Sequence, residues 1–191
     1  MNIIVKTFGN GRIYCRPDTT WERENKDFFS PDGIREYLYT PVLFARVSKA
    51  GKCIGMKFAS RYYDSIGYGM LIYRADQMDG SQMSYASSSC MDHTSILPFP
   101  MYNRLTLESG TNIFRILKNG TEIYSTDRGS TGIIEEGLCE ASAAVSVRSG
   151  DMIAIELAEP DKLADINTDG NQTNIAGTFC ENDLFDFRIL F

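Results

Sequence analysis

With 191 residues, 43% of them hydrophobic and 23% charged, the chain can bury the core of one domain and has the composition of an ordinary soluble globular protein. A net charge of −6, with Lys and Arg scattered, argues against nucleic acid or an anionic membrane as a partner. No apolar run reaches bilayer length, MNIIVKTFGNGR has too short an apolar core for a secretory signal, and Cys15, Cys53, Cys90, Cys139 and Cys180, with no Cys-x-x-Cys among them, predict free buried thiols in a reducing, cytoplasmic compartment.

In chain order, MNIIVKTFG predicts a strand closed by a turn at Gly9–Gly11, and RIYCRP a second strand ended by Pro17. FFSPDG is a turn by its Pro and Asp-Gly. YTPVLFARVSKAGK reads as a strand and turn, with Pro41 implying an edge position or the first residues of the strand. MKFASRYYDSI sets Phe58, Tyr62 and Ile66 at helical spacing and predicts a short helix stopped by Gly67, with a Gly-x-Gly turn leading into the apolar strand MLIYR.

From Asp79 to Thr94 the chain turns polar (DGSQMSYASSSCMDHT), which by composition is a long loop of the lid or binding kind. YNRLTLESG, NIFRILKNG and TEIYST predict a meander of hairpins, with Ser109-Gly110 and Asn119-Gly120 as turns. TGIIEEGLCEASAAVSV is the longer helix, with Ile133, Ile134, Leu138, Ala141 and Val145 on one side. SGDMIAIELA and the alternating DLFDFRILF are strands. Residues 1–191 thus read as one domain of the α+β class, mostly β, with two helices packed on the strands.

Several strings taken in order now resemble the fumarylacetoacetate hydrolase-like family. KFASRYYDSIGYG is similar to a helix and Gly-x-Gly element of its bacterial members. RPDT, PDG, the hairpin NG, SGDMI after the long helix and LFDFRI at the C-terminus follow in the family's order. The resemblance covers nearly the whole chain. It implies a mixed β-sandwich roll, usually dimeric, whose enzymes hydrolyse, decarboxylate or isomerise small keto-acids. They use Mg²⁺, Mn²⁺ or Ca²⁺ held by a Glu-x-Glu pair and an Asp. Hard cations of this kind prefer oxygen ligands and polarise keto or enol oxygens. A pair at i, i+2 shares one strand face.

In this chain the ligand positions fall, by the resemblance, on Thr40, Val42 and Leu71, none of them a carboxylate. An uncompensated divalent charge there is prohibitively costly, so no metal or other cofactor is expected. Ala75 falls at the family's arginine and Asp76 at its aspartate. Arg74 is one residue early, on the opposite face of a strand. The lysine that the family sets behind its metal ligands falls, by the resemblance, near Ser89. The family's pocket-closing turn is replaced by AIELAEPDK, with Ala154, Glu156 and Ala158 at its positions, and its N-terminal His- and Glu-bearing segment is deleted.

Other candidates remain. His93 beside Asp92, together with Asp76, is an acid–base candidate, against which stands an ordinary surface histidine. Asp165-Ile-Asn167-Thr-Asp169-Gly170 starts like a calcium loop but has Ala176 where that loop needs a glutamate. An Asx-rich turn is favoured, with weak calcium binding left open. Ser84–Cys90 could supply a nucleophile but has no paired base in view. The sequons at Asn119 and Asn171 carry no meaning in a cytoplasmic protein. Tyr73, Arg74, Asp76 and Tyr85 compose a refitted site for a small polar or anionic ligand.

The expectation is a divergent relative that has lost the metal carboxylates and acts as a binding or interaction scaffold, as a homodimer. The competing reading is an active hydrolase, decarboxylase or isomerase of keto-acids with a relocated site.

Overall fold

The computed structural model describes residues 1–9, 11–108 and 112–191. In chain order the elements are β1 (Ile3–Lys6), β2 (Ile13–Arg16), β3 (Trp21–Glu22), β4 (Phe28–Phe29), β5 (Glu36–Val47), α1 (Met56–Ala59), β6 (Tyr63–Arg74), α2 (Gln82–Ser88), β7 (Ser95–Ile96), α3 (Leu105–Glu108), β8 (Phe114–Lys118) and β9 (Thr121–Thr126). They continue with α4 (Thr131–Ala144), β10 (Met152–Glu156), β11 (Asp161–Asp165), α5 (Ile166–Asp169), β12 (Gln172–Phe179) and β13 (Asn182–Leu190). One sheet runs β2–β1–β10–β5–β6–β7–β3, with β11 also beside β5; the other runs β4–β13–β12–β8–β9. Among the described residues no helix is long and apolar enough to cross a membrane.

The antiparallel pair β5–β6 is the spine. Its even positions in β6 (Ile66, Tyr68, Met70, Ile72) enter the large core shared with the second sheet. There Tyr68 stacks on Phe114 of β8 at 4.8 Å and meets Phe179 of β12 at 4.9 Å. The opposite face carries Val42, Phe44, Leu71, Tyr73, Met152 and Ala154 in a second apolar cluster. With both faces buried, the continuous apolar runs VLFA and MLIY follow. α4, capped by Ser130 accepting from the Ile133 N–H, backs onto β10 so closely that a Cβ on Gly137 would lie 2.7 Å from Ile155 Cγ1.

Several expectations hold. β1, β2, β10, β13 and α4 lie where the sequence puts them. The β8–β9 hairpin turns on Asn119 and Gly120, both at positive φ (49° and 78°), as a two-residue turn matched to strand twist requires.

Others are corrected. The helix over MKFASRYYDSI shrinks to α1, Phe58 is exposed, and Tyr63–Ile66 is strand. Gly67-Tyr68-Gly69 is not a turn but the middle of β6. The glycines are there because a Cβ on Gly67 would meet the Phe44 ring at 2.5 Å, and one on Gly69 would sit 2.1 Å from the Ile96 carbonyl oxygen. The polar stretch Asp79–Thr94 is not all loop. Ser81 caps α2 by accepting from the Ser84 N–H, and Ser84, Ser87 and Ser88 bond back to carbonyls three residues earlier. YNRLTLESG is not a meander strand, since Leu105–Glu108 is helical; its expected Ser109-Gly110 turn, like Asn10 in the first turn, lies outside the described residues.

Pro41 is central in β5, not at an edge. Its carbonyl accepts from the Leu157 N–H at 2.9 Å, and N and C=O of one strand residue face the same side. That side is where β5 changes partner, from β10 (ending Glu156↔Val42) to β11 (starting Asp161↔Tyr39). The missing N–H therefore faces a break in the neighbour.

β12 carries no sequence expectation. Its inward residues are Thr173, Ile175, Gly177 and Phe179, too small and polar on average to announce a strand. Gly177 makes room for the Phe185 ring. The thiols are not buried as expected: Cys15, Cys53 and Cys90 are exposed, and Cys139 and Cys180 half-buried.

Candidate functional site

The second face of the β5–β6 sheet is where the resemblance puts the metal carboxylates. Thr40, Val42 and Leu71 do share it, with Thr40 directly opposite Leu71 and Val42 opposite Gly69. All three are fully buried. Parity along the neighbouring strands adds Met152, Ala154 and Glu156 from β10, Ile3 and Val5 from β1, and Tyr14 and Arg16 from β2. α2 lies over this face and sets Tyr85 against Tyr14 and Tyr73, at ring distances of 6.1 and 5.8 Å.

Inside the covered face runs one polar chain. Tyr14 donates to the Tyr73 hydroxyl at 2.6 Å, and Tyr73 donates in turn to Glu156 Oε1. The same oxygen accepts from Thr40 Oγ1 at 3.3 Å, and Oε2 accepts from the Phe8 N–H at 3.0 Å. Burial is the main influence on Glu156 and pushes its carboxyl above the usual range, against these hydrogen bonds and the charge of Arg16. Burial likewise pushes the Tyr14 and Tyr73 hydroxyls well up and Tyr85 to about 12, so all three stay neutral donors.

Arg16 is 2% exposed. Its guanidinium lies 5.1 Å over the Tyr73 ring and donates to the Ile72 and Ser89 carbonyls and to Thr94 Oγ1. Its Nη1 has no hydrogen-bond partner among the described residues. Glu156 lies at one end of this arrangement and Arg16 at the other, with Tyr73 between them, donating to Glu156 and lying under the guanidinium.

Of the ligand residues expected from sequence, Tyr73 and Tyr85 do meet, but as packed rings within this cover. Arg74 and Asp76 are elsewhere: they form a bidentate pair at 3.1 and 2.7 Å past the end of β6, on its other side. His93 is not oriented by its neighbour Asp92. Its Nδ1 instead lies 2.7 Å from Glu22 Oε2. Ser84, Ser88 and Ser89 spend their hydroxyls on backbone carbonyls of their own helix, which leaves no activated nucleophile there. The Asp165–Gly170 segment is a tight turn of helix. Asp165 pairs with Lys162 and Asp169 with Lys118, each at 2.7 Å, so the carboxylates are turned to lysines and do not converge on a point.

Sequence reasoning placed Glu156 only in the replaced pocket-closing turn and missed Tyr14, Arg16 and Glu22 as parts of sites. Glu156 was findable: it continues the i, i+2 series Met152, Ala154 that points to one buried face.

No family model matches the chain, and no curated protein does. Solved structures do. A protein assigned to the fumarylacetoacetate hydrolase family from Yersinia pestis CO92 superposes with a TM-score of 0.80 at 10% identity, over 99% of this chain and 92% of that one. Fumarylpyruvate hydrolase from Pseudomonas aeruginosa, in complex with Mn²⁺ and pyruvate, gives 0.79 at 12%, over 100% and 90%. The 5-carboxymethyl-2-hydroxymuconate delta-isomerase from Mycobacterium smegmatis gives 0.75 at 14%, over 99% and 78%. At these identities the likeness is one of fold, and the mixed β roll expected from sequence is the fold observed.

Proposed function

From a fold shared with fumarylacetoacetate hydrolase family proteins, we propose that this chain is a divergent relative in which the metal site is lost, and that it acts as a non-catalytic binding or interaction scaffold. The observation that carries the reading is the state of the face opposite Tyr68. At the three ligand positions it offers one neutral oxygen, Thr40 Oγ1, already bonded to Glu156. Val42 and Leu71 offer none. A divalent cation in the family's manner needs several oxygen ligands and compensating negative charge. The residues do not fit one, and no reaction step is derived through it. The buried carboxylate on this face, Glu156, is occupied by Tyr73, Thr40 and the Phe8 N–H.

Calorimetric titration tests the reading. The protein takes up no Mg²⁺, Mn²⁺ or Ca²⁺ at micromolar affinity. The triple variant Thr40→Glu, Val42→Glu, Leu71→Asp buries three carboxylates, loses several kcal/mol without metal, and regains thermal stability as Mn²⁺ is added. Micromolar Mn²⁺ binding by the unaltered chain, abolished by Thr40→Ala, would instead support an active hydrolase, decarboxylase or isomerase. A folded triple variant indifferent to Mn²⁺ would contradict the placement of the site. The scaffold reading also carries a homodimer. Light scattering of the purified protein returns twice the 21.4 kDa chain mass, and a monomer at all concentrations refutes that part.

A further inference from the structure

A second constellation lies away from the Thr40–Leu71 face, where β3 and β4 approach the segment after α2. Glu22 is 4% exposed. Its Oε1 accepts the N–H groups of Arg23 and Glu24 at 2.9 and 2.6 Å, and its Oε2 faces His93 Nδ1 at 2.7 Å. A carboxylate held this way only accepts, so Nδ1 carries the proton and, in the neutral ring, Nε2 presents a lone pair. Nε2 has no partner among the described residues.

The ring is held there at a cost: His93 sits at φ +59°, a backbone region a non-glycine residue rarely adopts unless its surroundings enforce it. Its N–H is tied to the Thr19 carbonyl at 3.3 Å.

His93 stands on the rim of a cavity of about 600 Å³ walled by Phe28, Phe29, Pro31 and Met91, a size that takes one small molecule. A smaller recess of about 240 Å³ on its other side runs to Trp21. Phe29 is 73% exposed, an unusual placement for a phenylalanine that nothing in the core requires. The charges around the imidazole are Glu22, Glu24, Lys26, Asp27, Asp92, Arg23 and Asp18. Lys26 is taken by Glu24 at 2.6 Å, Asp27 by Arg188, and Arg23 lies 4.9 Å over the Trp21 ring. The balance is acidic, which repels anions. The apolar walls ask for a ring, and the free lone pair asks for a hydrogen-bond donor.

We infer that the Phe28–Phe29–Met91 cavity is a binding site for a small neutral aromatic molecule with an acidic hydroxyl, a phenol, whose O–H donates to His93 Nε2 while Glu22 fixes the ring's tautomer. This site shares no residue with the Thr40–Leu71 face and stands whether or not the metal site is lost.

His93 is the only histidine in the chain, so ¹⁵N-imidazole NMR reads the site as one pair of signals. The neutral ring gives the Nδ1–H tautomer pattern in that spectrum. Titration with p-cresol moves the Nε2 signal saturably, whereas 4-methylanisole, which lacks the hydroxyl proton, binds at least about tenfold more weakly. Phe29→Ser, at an exposed position that does not threaten folding, and Met91→Ser each weaken p-cresol by about tenfold. Glu22→Gln shifts the tautomer populations. The inference is overturned if p-cresol leaves Nε2 unmoved up to its solubility, if 4-methylanisole or benzoate binds as well, or if Phe29→Ser changes nothing.

Discussion

Gly69→Ala is expected to lower the free energy of unfolding by about 3 kcal/mol, the upper end of what overpacking a core costs. The added Cβ would lie 2.1 Å from the carbonyl oxygen of Ile96 and 3.2 Å from its carbon. That neighbour is backbone, and it cannot step aside. Ile96 is paired to Met70 of β6 and Glu22 of β3, and the Leu97 N–H is bonded to the Glu22 carbonyl at 3.1 Å. Relief requires β7 to peel from β6. The stiffening of the unfolded chain by alanine, about 0.4–1 kcal/mol in the opposite direction, is too small to compensate. Gly67→Ala is the internal comparison: its Cβ meets the far end of the Phe44 ring at 2.5 Å, and a ring can tilt, so the loss is smaller. Urea unfolding of the two variants gives the order. A Gly69→Ala midpoint within error of the parent, or a larger effect at Gly67, would show that the strand does not pack as described.

The second large effect is at Glu156. Glu156→Leu keeps volume but leaves Tyr73, Thr40 and the Phe8 N–H without their acceptor and the charge of Arg16 without its balance. A loss of about 3 kcal/mol follows from the cost of buried groups left unpaired. Glu156→Gln loses less and adds a pH signature. The folded-state carboxyl titrates above the usual range because it is buried. Between the ordinary glutamate value and the raised one, the folded protein therefore holds a proton that the unfolded chain has released. Stability contributed by the neutral acid is complete below the ordinary value and is lost as pH rises through the raised one. The parent should weaken relative to Glu156→Gln across that window, and denaturant midpoints taken along a pH series check it. A difference that is flat or grows with pH contradicts the assignment.

What the chain announced and what it hid divide along physical lines. β13 was legible because Phe185, Phe187 and Ile189 alternate with Asp186 and Arg188, a pattern that survives any context. The β8–β9 turn was legible because Asn119-Gly120 meets a local demand for positive φ. The Gly67–Gly69 element was misread because the reason for those glycines is the Phe44 ring and the Ile96 carbonyl, which lie some twenty to thirty residues away along the chain and leave no local mark. α2 was hidden by its serines, poor helix formers that here satisfy themselves on their own carbonyls while Tyr85 holds the helix to the sheet. Thr40 and Val42 share a face by strand parity alone, whereas Leu71 joins them only through the β5–β6 register, which sets it opposite Thr40. The chain Tyr14–Tyr73–Glu156 was not seen, since its members come from three strands that only the sheet order brings together.

The break beside Pro41 has a consequence for how this protein lives among other chains. A strand that loses its neighbour mid-course normally exposes a donor and an acceptor that an intruding segment can pair with, and this is how sheets recruit foreign strands. At Pro41 the donor does not exist and the acceptor is held by Leu157. The interval between β10 and β11 is thus chemically silent toward other backbones. That silence depends on Leu157 keeping its place at the head of the loop that runs to Pro160.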